Sequence, residues 1–121
     1  MTTINKPAEF VPVCKVSELH GSEGRHVRPA TGRWRNKAMA VFQEDGHYYV
    51  LNFICPHQGG PMSAGVLKDG IVECPWHSWK FHAGTGLSVD EDGHDIEVYE
   101  CKVEGDELLV GGIKRPAARG R

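Results

Sequence analysis

The sequence predicts an all-β domain, an antiparallel β-sandwich or small barrel, and three observations carry that prediction. Glycine supplies 15 residues and proline 7, many breaks for a chain of 121. The apolar runs between the breaks are short and rich in β-branched and aromatic residues, which suit a pleated, half-buried surface. No window sustains an apolar repeat at helical spacing.

The first strand is expected over residues 10–16, with a turn over 16–20. Residues 38–42 and 47–51 follow as a hairpin about Asp45-Gly46, a favoured pair for a tight turn. Residues 66–67 and 71–72 flank a second such pair, Asp69-Gly70. Residues 96–103 and 108–110 flank Gly105-Asp106. The chain length fits a single domain with a modest core.

Composition narrows the function. A quarter of the residues are charged and the net charge is −2, so nothing asks for nucleic acid. The opening MTTINKPAEF has no basic stretch followed by an apolar run, so no secretory signal is expected. No segment approaches the ~20 apolar residues that span a bilayer. The expectation is a cytoplasmic protein with reduced thiols, in which four cysteines point to metal or catalysis before disulfides.

Two stretches rhyme: Cys55-Pro56-His57-Gln58-Gly59-Gly60 and Cys74-Pro75-Trp76-His77-Ser78-Trp79. Each follows an expected strand, so each loop is rooted where neighbouring strands can hold it against the other. Proline after each cysteine stiffens the backbone, while Gly59-Gly60 and Gly84-Thr85-Gly86 allow tight turning or close approach. Thiolate with imidazole suits zinc or iron. Zinc sites commonly pair two Cys in one motif and two His in another, whereas here each loop carries one of each. A two-iron cluster accounts for this better, with two Cys on one iron and two His on the other. A structural zinc domain that binds another protein remains the alternative of a different class.

Cys55-x-His57 and Cys74-x-x-His77 resemble the signature of Rieske [2Fe–2S] proteins, in which His replaces Cys on one iron. CPHQGGPMSAGVL and CPWHSWKFHAGTG are similar to the two cluster loops of the bacterial ferredoxin-like branch. The resemblance implies a Rieske-like fold over residues 9–112, with a cluster-binding subdomain of two loops over about 53–86. Residues 1–8 and 113–121 read as tails, the second basic and disordered. It further implies one [2Fe–2S] cluster, with Cys55 and Cys74 on the inner iron and His57 and His77 on the outer. The resemblance also implies a potential that falls at high pH, as the His ligands lose protons.

The respiratory branch adds a disulfide between the loops and two hydroxyl donors to sulfur. The corresponding positions here are Gly60, Trp76, Trp79 and Phe81, which supply none of these. Fewer donors imply a potential at the low end of the Rieske range. The resemblance therefore implies a one-electron carrier rather than an enzyme, taking electrons from a flavin reductase and passing them to a terminal oxygenase. The alternative home is the small subunit of an NAD(P)H-dependent nitrite reductase, which HSWK and Gly-Thr-Gly resemble. Partners are expected to dock on Pro56, Gln58, Pro61, Met62, Trp76 and Trp79.

Among the remaining residues, Cys14 and Cys101 are expected as reduced core cysteines. His20, His26, His47 and His94 are expected in solvent, and His82, where many relatives have Asp, beside the second loop rather than on the metal. Arg25, Arg28, Arg33, Arg35 and Lys37 crowd one stretch, and Asp90, Glu91, Asp92, Asp95, Glu97 and Glu100 another. The acidic stretch is the candidate rim for steering a basic partner; solvated strand faces are the plainer expectation.

Overall fold

The structure is a computed structural model that describes residues 10–21, 23–56, 59–76, 79–89 and 95–114. Its strands are β1 Val11–Lys15, β2 Arg25–Val27, β3 Met39–Glu44, β4 His47–Asn52, β5 Val66–Lys68, β6 Ile71–Glu73, β7 Lys80–His82, β8 Val98–Glu104 and β9 Glu107–Ile113. Short 3₁₀ turns occur at Val16–Glu18, inside the expected turn, and at Met62–Ala64. One sheet has six strands in the order β1-β9-β8-β4-β3-β2, and a second has three in the order β5-β6-β7, all antiparallel. The large sheet rolls up into a nearly closed barrel that leaves β1 and β2 as its edge strands. Arg25 of β2 lies 3.6 Å from Glu18, just beyond β1. The expected all-β antiparallel barrel is what forms.

Two of the expected turns have the backbone their residues favour. Asp45 and Gly46 take φ 52° and 80°, and Asp69 and Gly70 take 54° and 78°. Left-handed values at both centres match the right-handed twist of the flanking strands. Two strands were not expected. β2 and β7 have three residues each, too few to display a period, and both are recruited by longer neighbours. β9 runs through Ile113, and the Lys114 N–H donates to the Val98 carbonyl at 2.9 Å, so the last strand passes the expected boundary. Residues 115–121 lie outside the described residues.

The core has two layers. Met39, Val41, Val50, Tyr99, Leu108 and Val110 fill the barrel interior. Ala40, Phe42, Leu51 and Val98, on the opposite face of the same strands, pack beneath Leu67, Val72 and Phe81 of the small sheet. Residues 39–42 are therefore buried on both sides, which explains an unbroken apolar run where one wet face would give alternation. The cluster-binding part was expected as two loops; it is a sheet of its own that carries them. Glu44 fastens it down, accepting from the amides of Asp69 at 2.6 Å and Gly70 at 2.8 Å. Both donors meet one carboxylate, which makes these charge-assisted bonds.

Cys14 and Cys101 are free, half-buried and packed against the barrel core. Cys14 opposes Leu108 and Cys101 opposes Val110, on strands either side of β9. Burial pushes the Cys14 thiol up from 9.0 to about 11, with Arg25 opposing and Glu18 adding. The folded state thus keeps a proton that the unfolded chain loses first. Its stabilising contribution is complete below pH 9.0 and is lost as pH rises towards about 11. Cys14→Ala is expected to flatten that alkaline decline, measured as urea midpoints across the window. An unchanged slope would assign it elsewhere, to Cys101 or Tyr99, which burial also raises.

Candidate metal centre

Both loops are six-residue excursions closed in the same way. The Cys55 amide donates to the Gly60 carbonyl at 2.9 Å, and the Cys74 amide to the Trp79 carbonyl at 2.7 Å. Each cysteine thus sits at the neck of its loop, where strand pairing has just ended. In the first loop the Gly59 amide also returns to the Cys55 carbonyl at 2.9 Å, with Gly59 at φ 76°. Ile54 and Pro61 form a bridge one step lower, so the neck continues the hairpin inward. In the second loop β6 and β7 supply the neck through the Glu73–Lys80 pair.

The necks face each other. Cys55 and Cys74 are each 1 % exposed, and their thiols are close enough to hydrogen-bond. A Cβ at Gly60 would lie 3.0 Å from the Cys74 sulfur and 3.0 Å from the Trp76 ring. Only a residue without a side chain lets the loops close this far. Burial pushes the Cys74 thiol up to about 11; the Trp76 amide, 3.4 Å from the sulfur, pulls it back, and Cys55 raises it again. The Cys74 thiolate, buried beside a second thiol, is poorly served by water or protein dipoles. A cation bound by both favours the thiolates instead, so this donor pair fits a soft metal centre.

His57 and His77, with Gln58, lie outside the described residues. Of the expected docking residues, Pro56 is exposed, Pro61 and Trp79 are half-buried, and Trp76 is 49 % exposed. Met62 requires correction. It is fully buried in the layer that holds Cys55 and Cys74, because the Met62 amide bonds the Phe53 carbonyl at 2.8 Å and turns the side chain beneath the loops. An apolar thioether fills that space and reaches no partner. His20, His26, His47 and His82 are exposed; His94 lies outside the described residues. His82 supports the second loop through its main chain, donating to Leu87 and accepting from Thr85 and Gly86.

Residues 9–103 match the family described as Rieske [2Fe-2S] domain. The chain belongs to that family. The Rieske domain is 32% identical over 104 residues to apoptosis-inducing factor 3 of Homo sapiens, covering 85% of this chain but 16% of the human protein. It is 31% identical over 99 residues to the 3-phenylpropionate/cinnamic acid dioxygenase ferredoxin subunit of Shigella flexneri, covering 80% of this chain and 88% of that one. A solved structure described as a putative NADH-dependent nitrite reductase small subunit from Mycobacterium tuberculosis superposes with a TM-score of 0.76 at 20% identity, covering 88% and 97% of the two chains. That last likeness is one of fold. The Rieske domain carries one [2Fe–2S] cluster, and the zinc alternative falls. Relatives matched over most of their length, such as the Shigella protein, are ferredoxin subunits or components of oxygenase systems.

Sequence reading missed Glu44 and the equal closure of both necks. The Asp-Gly turn was visible, but the carboxylate that holds it lies 25 residues away. Of the acidic stretch, Asp95, Glu97 and Glu100 are among the described residues. Asp95 accepts from the Ser88 amide at 2.8 Å and Glu97 from the Tyr99 hydroxyl at 2.5 Å, while Asp90, Glu91 and Asp92 lie outside the described residues.

Proposed function

We propose that this domain carries single electrons from a flavin-dependent reductase to a terminal oxygenase at low potential. Cys55 and Cys74 would hold the inner iron, and His57 and His77 the outer one. The buried thiol pair at two facing necks carries the reading, because it offers a rigid, dry and charge-demanding seat. When bound, a Rieske cluster takes up and releases one electron at a time.

The potential follows from the donors around sulfur. Among the described residues Cys74 receives one amide, that of Trp76 at 3.4 Å, and Trp79 and Phe81 offer no hydroxyl. Few donors leave the reduced, more negative state less stabilised. A redox titration followed by paramagnetic resonance of the reduced protein is expected to give a midpoint near −150 mV, the low end of the Rieske range. A clearly positive midpoint would show that another donor reaches the sulfurs.

Docking is assigned to the exposed rim of Pro56, Pro75 and Trp76, with Pro61 and Trp79 at its base. Trp76→Ala is expected to slow transfer to the oxygenase several-fold while the visible spectrum stays unchanged. Normal transfer would remove Trp76 from the docking surface. Membership in a nitrite reductase shares the fold; the 31% identity over 88% of an oxygenase ferredoxin favours the first assignment. Free thiols at Cys14 and Cys101 suit a reducing cytoplasm. The working domain is residues 9–112, and the Lys114 bond argues for ending it at 114.

A further inference from the structure

The open edge of the barrel carries a charge pattern that the electron-carrier reading leaves unused. From Gly24 to Gln43 the chain has no acidic residue, yet it carries Arg25, Arg28, Arg33, Arg35 and Lys37. The net charge of the whole chain is −2, so this is a local concentration of positive charge against the overall sign.

These cations are held on a built loop. Trp34 donates its indole N–H to the Gly111 carbonyl at 2.7 Å, and Arg28 donates to the Asn36 carbonyl at 2.6 Å. The Asn36 amide bonds Pro29 at 2.8 Å and the Lys37 amide bonds Trp34 at 2.9 Å. Arg33 lies over the Trp34 ring, 4.7 Å from its centroid. Among the described residues Arg25 pairs with Glu18, whereas Arg33, Arg35 and Lys37 have no carboxylate within ion-pair distance. Unpaired cations on a fixed frame lose little freedom when a partner supplies the anions.

The frame also adjoins the first cluster loop. His26 of β2 stacks on Phe53 at 4.2 Å, and the Phe53 amide bonds the Ala38 carbonyl at 3.3 Å. A Cβ on Gly24 would come within 2.4 Å of the Ser63 carbonyl, so β2 runs tight against the segment leaving the same loop. The residues on either side of the basic loop, His26 with Gly24 before it and Ala38 after it, therefore flank the entry and the exit of the loop that holds Cys55.

We propose that this edge, centred on Arg33, Arg35 and Lys37, docks an acidic face of an electron-transfer partner protein beside the cluster loop. The partner's class rests on the electron-carrier reading; the recognition chemistry does not. It runs opposite to the acidic rim considered from sequence, two of whose members are engaged internally.

The test uses the full holoprotein and fluorescein-labelled poly-L-glutamate as the acidic probe, titrated at low and at physiological salt. Wild type is expected to bind saturably at low salt and more weakly at physiological salt, as screening requires. The Arg33→Glu/Arg35→Glu variant is expected to bind about tenfold more weakly or worse, whereas Lys15→Glu/Lys102→Glu, with the same change in net charge, stays near wild type. Equal loss in both variants would reduce the effect to net charge and overturn the site. So would tighter binding of a labelled single-stranded oligonucleotide than of the peptide.

A second readout ties the edge to the cluster. Oxidation of the reduced protein by hexacyanoferrate(III) is expected to slow as salt rises, and the Arg33→Glu/Arg35→Glu variant to lose that dependence. A rate that rises with salt in wild type would place the positive field away from the cluster. Protein lacking iron and labile sulfide would instead sink the electron-carrier reading while leaving the peptide binding to stand or fall by itself.

Discussion

Cys74→Ser is expected to yield a folded but colourless protein without iron or labile sulfide, and Cys55→Ser the same. Serine nearly matches cysteine in shape, and the Trp76 amide that reaches the sulfur can donate to a hydroxyl in its place. The fold should therefore survive, at a cost on the order of 1–2 kcal/mol for an imperfectly paired buried hydroxyl. What disappears is the soft donor: an alcohol oxygen near neutral pH does not replace a thiolate on iron. Cys14→Ser and Cys101→Ser, which alter the two free thiols packed against the barrel core, are expected to retain full iron and sulfide. Metal analysis beside far-ultraviolet circular dichroism separates the cases. Full iron in Cys74→Ser would mean that the inner iron has a different ligand.

Gly86→Ala carries the largest expected loss of stability. Gly86 takes φ 82°, and a Cβ there would lie 2.0 Å from the Ile96 carbonyl oxygen. The same residue accepts from the Ile96 amide at 2.8 Å and donates to His82 at 2.7 Å, so the 96 segment cannot simply step aside. Left-handed strain of about 1–2 kcal/mol and the forced loss of a hydrogen bond together reach roughly 3 kcal/mol. That is a large share of the 5–15 kcal/mol typical of a domain. Gly46→Ala is the proper comparison: φ is 80°, but nothing lies within 4 Å. It should cost about 1 kcal/mol, from conformation alone. Urea unfolding at unchanged m-value measures both; equal shifts would mean the clash at Gly86 is relieved by small movements of the 96 segment.

How much of this was legible in the residues depends on how local the cause is. The Asp45-Gly46 and Asp69-Gly70 turns were readable because the pair itself demands left-handed backbone. The Rieske motif was readable because two cysteines and two histidines at two fixed spacings leave few alternatives. β2 and β7 were not, since three residues recruited by a neighbouring strand show no pattern of their own. The burial of Met62 was missed for a related reason. Pro61 suggested an exposed tip, and the bond from Met62 to Phe53 that turns the side chain inward spans the loop. Gly60 was read as a point of close approach, but what it approaches, Cys74 and Trp76, belongs to the other loop.

β4 and β8 are neighbours in the barrel, with Val50 opposite Tyr99 and Leu51 opposite Val98. The Asn52 amide reaches the Glu97 carbonyl at 2.9 Å, so everything from 53 to 96 leaves and re-enters the barrel at one point. In the currency of chain entropy, the metal-bearing excursion is a closed loop whose ends are already tied by the barrel. It can open and close without unthreading the scaffold, and the scaffold fixes its root without constraining its length. A barrel of this kind is a socket. Exchanging the segment between two such barrels, joined at 52 and 97, should carry the cluster and its potential along with it, while the edge charges stay behind with the barrel.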